Sequence, residues 1–501
     1  MNPVKIKRRQ IEGLTAVLAL SFTLGCSHSP PKDIKETTFK RLSAVKEEKR
    51  IAVADYFSAV KKLASGVVND KKVVRLFKEI KGSPSSGALY KLTFDLDVHF
   101  VTEYSDFYDL LFVDETGLVF HSVKQESDYG TNLFTGRWAG SRLAREMKNN
   151  GDAQFVDYDY YGPSEEPAAF FVTPLEEGGK RTGWVILQSP INRVNAILSD
   201  HEGLGRTGEV YLVNGEKMML TDSRFLADST ILKKRVETDA VRLAFERKAG
   251  QEVIDDYRGV RVFSAFEKFD LFNSSWVIIV EIDEAEVITE HYRDYKDYYL
   301  PAVMKSAMER PAAKREKPAL WGEGLKGQRA DVSEFTEARK GELLETRGVG
   351  PCSSVVIHYP ARFGYLSHIS PVDDSYEKGM FGKFLLKERR TNFLDKIMKK
   401  VKRYDIYPYE MRNLNVTVIA THFESMKTLV DSLIDAGVEL AQVRVMINPY
   451  ADYANVRFDQ SRDEVNVQWV MQEGPEKVLF ESAAEVENLG EMLKKIAQYG
   501  A

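Results

Sequence analysis

Of the two cysteines in this 501-residue chain, Cys352 stands in the stretch TRGVGPC (346–352), and His368 follows sixteen positions later in SSVVIHYPARFGYLSHISP. A thiol becomes a strong nucleophile when a base takes its proton or stabilises the thiolate, and histidine suits that task near neutral pH. Gly348 and Gly350 let the backbone approach closely and turn N–H groups toward a developing oxyanion. The chemistry this pattern permits is attack on a carbonyl carbon. The competing reading is a small, buried, inert thiol. His358 and His422 are weaker rivals for the base: His358 falls mid-strand among apolar neighbours, and His422 follows Thr421 at a helix start, where capping accounts for the pair. No ligand spacing points to a metal, and no cofactor is implied.

A second group mixes aromatic rings with a few polar atoms: Trp138, Asp157, Tyr158, Tyr161, Ser164 and Phe170. Aromatic walls with one carboxylate suit a cationic amine through the ring faces and the charge. Read blandly, the same residues are core and turn positions of a sheet. Gly203, Gly205 and Gly208 spell GxGxxG, but a polar helix end precedes them and the strand EVYLVN follows, the reverse of a dinucleotide site, so they read as a turn.

Several elements must position these groups. Residues 38–81 carry Leu42, Val45, Ala52, Tyr56, Val60, Leu63 and Val67 at helical spacing, which predicts one long helix closed by Gly82, Ser83 and Pro84. From Tyr90 onward the pattern reads as short strands, with ETG turning the hairpin LLFVDETGLVFHSV. Residues 291–332 are charged and broken by Pro301, Pro311 and Pro318, a mostly solvated linker with one short helix. Beyond it, VVIHY and FGYLSHI form a hairpin that brings Cys352 toward His368. THFESMKTLVDSLIDAGVEL (421–440) reads as a helix and QVRVMINPYADYANV as the strand after it. The class is α+β, with a long N-terminal helix and two small antiparallel sheets; the resemblance of the C-terminal part given below implies an α/β sandwich after them.

The N-terminus sets the compartment. Lys5, Lys7, Arg8 and Arg9 precede the apolar run LTAVLALSFTL, which closes on Gly25 and Cys26: a secretory signal too short to span a bilayer, or an uncleaved signal anchor, and on either reading the rest of the chain is exported. The net charge of −5 and the even spread of 70 basic and 75 acidic residues exclude a nucleic-acid surface. TLGC resembles a bacterial lipobox, which implies lipid on Cys26, a tether at 27–37 and an extracytoplasmic protein, periplasm-facing and held to a membrane. Cys352 then has no intramolecular disulfide partner.

Two further resemblances follow from longer stretches. KEEKRIAVADYFSAVKKLA (46–64), SDYGTNLFTGRWAGSRLAR (127–145), YYGPSEEPAAFFVTPL (160–175), LGRTGEVYLVNGEKMMLTDSRF (204–225) and DDYRGVRVFSAF (255–266) together resemble double Cache sensor domains over 38–290. That resemblance implies two PAS-like sheets on a helical spine, a small-molecule ligand (amino acid, amine or carboxylate) in the half farther from the membrane, and a possible homodimer through 38–81. The stretch from 341 to 371 resembles CheD, the chemoreceptor glutamine deamidase, and extends that likeness to 333–501. It implies Cys352 as nucleophile, His368 as base and then acid, and Thr346 as the residue that orients His368; the strand after the helix departs from the family in lacking its glycine pair. CheD substrates are cytoplasmic, so an exported chain would act on an exported protein or peptide. The alternative is a non-catalytic binding lipoprotein that reports to a membrane partner.

Overall fold

The structure is a computed structural model, and it describes residues 32–82, 86–149, 155–307, 312–314, 321, 328–338, 341–378, 387–404, 406, 408–473, 476–481, 483–486 and 488–496. The export signal at 1–26, Cys26 and residues 27–31 of the tether lie outside them. The chain divides into two compact units, one of Lys35–Val287 and one holding Ile288–Ala501.

In the first unit, α1 (Ile34–Gly66) buries Leu42, Val53, Phe57, Val60 and Ala64. Their three- and four-residue spacing puts them on one face. Phe39 meets Phe263 edge-on at 5.3 Å, while Phe57 meets Phe155 at 6.0 Å and Trp276 at 5.4 Å, so sheets of the unit itself cover that face. The single helix expected over 38–81 is two. A short 3-10 turn at Val67–Asn69 breaks it, and α2 (Lys71–Gly82) restarts because the Asp70 carboxylate accepts the N–H groups of Lys72 and Val73 as an N-cap. A second correction concerns residues from Tyr90 onward, read as strand but folded as α3 (Ser86–Glu103). LTFDLDVHF alternates apolar and polar, the strand period, yet Leu92, Leu96 and Phe100 are also four apart. Leu96 and Phe100 are buried, and Tyr90, Phe94, Val98 and Val101 are left exposed.

Five strands, β1 (Asp109–Asp114), β2 (Val119–Ser122), β3 (Phe155–Tyr161), β4 (Glu166–Glu177) and β5 (Lys180–Pro190), form an antiparallel sheet in the order β2-β1-β5-β4-β3. One face packs on α4 (Arg142–Asn149) and the loops around it, through Leu111, Val113, Leu143, Met147, Phe170 and Ile186. After α5 (Asn192–Leu198), a second antiparallel sheet of β6 (Glu209–Val213), β7 (Ala249–Asp255), β8 (Arg261–Leu271) and β9 (Ser274–Asp283) runs β6-β9-β8-β7. It is covered by α6 (Asp239–Arg247). Gly203 and Gly205 take positive φ in the loop before β6, a turn and not a strand-to-helix phosphate loop.

Of the expected linker at 291–332, the first part is helical: α7 (Glu284–Ala307) runs into it and leaves helical geometry at Tyr295 (φ −126°). Within 291–332, β10 (Ala313–Lys314) and β11 (Gln328–Arg329) also join a sheet. The strands that follow are β12 (Glu334–Ala338), β13 (Leu343–Val349), β14 (Ser353–Tyr359), β15 (Phe363–Ile369) and the separate pair β16 (Asp374–Lys378) and β17 (Lys387–Thr391). Then come β18 (Asn415–Ala420), β19 (Val443–Ile447), β20 (Tyr453–Asp459), β21 (Glu464–Glu473), β22 (Glu476–Phe480) and β23 (Ala484–Val486). They build two six-stranded sheets, β10-β22-β21-β20-β13-β11 and β12-β15-β14-β18-β19-β23. Leu344, Val456 and Phe458 of one share a core with Val356, Leu366 and Ile419 of the other. Helices α8 (Asn392–Val401), α9 (Phe423–Asp435) and α10 (Leu489–Ile496) complete the unit. Helix α9 is shorter than expected, and QVRVMINPYADYANV is two strands in different sheets, split at Asn448–Asp452. No helix of the described residues is long and apolar enough to cross a membrane.

Candidate functional site

In the second unit, β14 and β15 pair with Ser354 opposite His368 and Ser353 opposite Ile369. Opposed residues share a face, so His368 points with Ser354, Val356 and Leu366 into the inter-sheet core. Cys352 precedes β14 by one residue and packs on that same core. It therefore lies at the end of the hairpin that carries His368. Thr346 arrives from β13 in the facing sheet, and its Oγ1 lies 2.8 Å from His368 Nδ1.

That contact assigns a tautomer. The Thr346 hydroxyl has one proton, which it donates to the Ala330 carbonyl at 2.8 Å. Its oxygen must then accept from His368 Nδ1–H, leaving Nε2 as the bare nitrogen. His368 is 1% exposed, and Nε2 has no hydrogen-bond partner among the described residues, so no Cys352–His368 bond joins the pair. Burial raises the Cys352 thiol above its ordinary range, with the Asp373 charge acting alongside and the Ser370 hydroxyl against. Burial likewise lowers His368, against the pull of Asp331 and Asp373. At rest both groups are neutral near pH 7.

The expected oxyanion role of the glycines is corrected in part, because the Gly348 N–H is taken by the Asn455 side chain at 3.2 Å. Gly348 still needs its glycine for the positive φ of +71°. The rival histidines sit elsewhere, and the capping expected of the Thr421–His422 pair does not form. His358 lies buried against the Phe458 ring at 5.0 Å. His422 is the N-cap residue of α9 without a side-chain cap bond, and the Thr421 hydroxyl goes to the Gly350 carbonyl, not to the helix.

In the first unit, the aromatic group divides. Tyr161 and Phe170 (ring centroids 4.8 Å apart) share the loop-covered face of the five-stranded sheet with the half-buried Trp138. Ser164 accepts from Gln188 Nε2 at 3.1 Å. Asp157 does not join them: both its oxygens accept from the Trp276 indole N–H, at 3.1 and 3.0 Å. Tyr158 points to Ser189 and the Pro190 carbonyl. A bulge between Val156 and Asp159 shifts the register there, so sequence parity does not carry across it.

The carboxylates beside Tyr161 and Ser164 are others. The Tyr161 hydroxyl donates to Asp128 Oδ2 at 2.8 Å, and Tyr108 donates to Glu126 Oε1 at 2.7 Å. Asp109, opposite Gln188 in the β1–β5 register, accepts from the Ser122 hydroxyl and two backbone N–H groups. Burial raises its carboxyl from 3.8 to about 6, and the Asp128 charge adds to this. Burial and then the Glu126 charge raise Asp128 and Glu166 as well. Glu126 Oε2, Asp128 Oδ1 and Gln188 Oε1 are buried acceptors with no donor among the described residues. Sequence reading missed all four of Asp109, Glu126, Asp128 and Gln188. A signal existed for two of them: Asp109 and Gln188 are polar interruptions in the inward-facing series 109, 111, 113 and 184, 186, 188 of apolar strands.

No family model matches the chain, and no curated protein matches it. Among solved structures, the ligand-binding domain of the Pseudomonas aeruginosa amino-acid chemoreceptor PctC in complex with GABA is 15% identical, with a TM-score of 0.35 over 49% of this chain and 100% of that one. The periplasmic sensory domain of the Campylobacter jejuni chemoreceptor Tlp1 is 14% identical, with a TM-score of 0.36 over 51% of this chain and 98% of that one. The ligand-binding domain of the Pseudomonas fluorescens chemoreceptor CtaA in complex with L-serine is 14% identical, with a TM-score of 0.32 over 50% and 98%.

Proposed function

We propose that this chain is an exported, lipid-anchored solute sensor whose first unit binds a small amine or amino acid through its ammonium group. The observation that carries this reading is the set of three buried acceptors without donors among the described residues: Glu126 Oε2, Asp128 Oδ1 and Gln188 Oε1. An ammonium group brings three N–H donors and a charge that offsets the mutual repulsion of Asp109, Glu126 and Asp128. The Tyr161, Phe170 and Trp138 rings supply the adjacent apolar wall. In this reading 38–290 is the sensor, 291–332 the connection, and 333–501 the CheD-like part, behind a signal at 1–26 and lipid on Cys26. The test is calorimetric titration of the full chain with primary amines, L-amino acids and dicarboxylates. Amine or amino-acid binding is expected, weakened about tenfold or more by Asp128→Asn, which keeps the acceptor for Tyr161 but removes the charge. Binding of a dicarboxylate with indifference to amines would end this reading.

A second reading concerns the other unit, and the orientation of His368 favours it. With Nδ1–H held by Thr346, the free Nε2 is set up to take the Cys352 proton once a substrate displaces the thiol toward it. Cys352 would then attack a glutamine side-chain amide, His368 would protonate the departing ammonia, and water would hydrolyse the thioester to a carboxylate. The substrate class is an exported protein or peptide. The non-catalytic alternative, an inert thiol in a binding fold that reports to a membrane partner, needs none of these steps.

A further inference from the structure

A cavity of about 200 Å³ opens in the first unit beside α1, lined by Lys61, Ser65, Phe155, Phe171, Thr173 and Phe272 among others. It lies on the helix-facing side of the five-stranded sheet, opposite the face that carries Asp128 and Tyr161. Phe155 and Phe171 are buried and form its floor, with ring centroids 5.2 Å apart. Phe272 closes one wall, 4.9 Å from Phe155 and 5.7 Å from Phe171. At the mouth, the exposed Lys61 places its ammonium 4.8 Å over the Phe272 ring. Lys61 has no carboxylate partner among the described residues.

Two features mark this as a built pocket. Phe272 is the first residue of the two-residue turn between β8 and β9, and it holds φ at +57°. Such turns give that position to glycine, asparagine or aspartate, and a bulky residue there is strained. In that position the Phe272 ring stands against Phe155 and Phe171. The second feature is the pairing of an apolar aromatic interior with one uncompensated cation at the rim, which matches an anion carrying an apolar tail. A cavity of roughly 150 Å³ accommodates benzene, so this one has room for a ring.

We propose that this pocket is a second solute site, for a small organic monocarboxylate whose ring or short alkyl tail enters between Phe155, Phe171 and Phe272 while its carboxylate meets Lys61. The site is separate from the amine site and does not rest on it. The test is titration of the full chain with phenylacetate and with its neutral analogue phenylacetamide. Phenylacetate is expected to bind saturably and more tightly than the amide. Lys61→Met, a substitution at an exposed position, is expected to weaken phenylacetate about tenfold and leave the amide unchanged. Phe272→Gly, which relieves the turn and removes the wall, is expected to weaken both without lowering the melting temperature. Asp128→Asn is expected to leave phenylacetate binding intact. Equal affinity for acid and amide, no effect of Lys61→Met, or loss of phenylacetate binding in Asp128→Asn would overturn the proposal.

Discussion

At the scale of single residues, the second unit turns on one proton. The Thr346 hydroxyl is committed to Ala330, so His368 carries its hydrogen on Nδ1. Thr346→Val removes the acceptor, and nitrogen NMR of His368 is expected to show the Nδ1–H tautomer in the wild type and a mixture in the variant. A wild-type spectrum dominated by the Nε2–H form would contradict the assignment. Because burial raises the thiol and lowers the imidazole, Cys352 alkylation by iodoacetamide is expected to be slow at pH 7 and to accelerate only above the unperturbed thiol value of about 8.5. Acceleration near neutral pH, lost in His368→Ala, would instead mean an activated pair at rest. Ammonia release from a glutamine peptide, abolished by Cys352→Ser, would establish the hydrolytic reading whatever the resting pKa. None of this proton placement is legible in the sequence, since it depends on a carbonyl sixteen residues before Thr346 and a histidine twenty-two after it.

At the scale of elements, carboxyl groups held inside the fold bear on stability. Asp70 caps α2 and also holds His99 Nε2 at 2.6 Å and the Tyr104 hydroxyl at 3.0 Å. Asp70→Ala is expected to cost about 2–4 kcal/mol in chemical denaturation, one part for the cap and the rest for two orphaned groups. Asp70→Asn, which keeps the cap acceptor, is expected to recover part of that. In the four-stranded sheet, Glu281 is buried and accepts from Tyr211 and Ser264. Burial, and then the Asp256 charge, raise its carboxyl from 4.5 to about 8. The folded chain therefore keeps a proton that the unfolded chain has lost, and stability contributed by this group falls as pH rises from about 4.5 to 8. Glu281→Gln removes that loss. Its melting temperature is expected to exceed the wild type's at pH 8.5 and not at pH 5, by about 2–4 °C per kcal/mol recovered. Parallel pH curves for the two proteins would show that Glu281 is ionised throughout.

At the scale of the whole molecule, each unit has its own core: the clusters around Leu111 and Tyr211 in the first, and the one around Leu344 in the second. Differential scanning calorimetry is expected to show more than one transition, with a bound amine raising only the transition of the first unit. A single transition that shifts as one would mean the units unfold together. The sequence by itself determined the elements whose period is local: the helix that begins α1, the hairpin of β14 and β15, and the α+β class. Periodicity needs only neighbours along the chain. Where one stretch satisfies two periods, as LTFDLDVHF does, only packing chose the helix and left Phe94 and Val98 outside. The three-dimensional arrangement likewise sent Asp157 to Trp276 and put Asp109, Glu126, Asp128 and Gln188 beside Tyr161. A bulge and two loops intervene there, and no local pattern records which side chains they bring together.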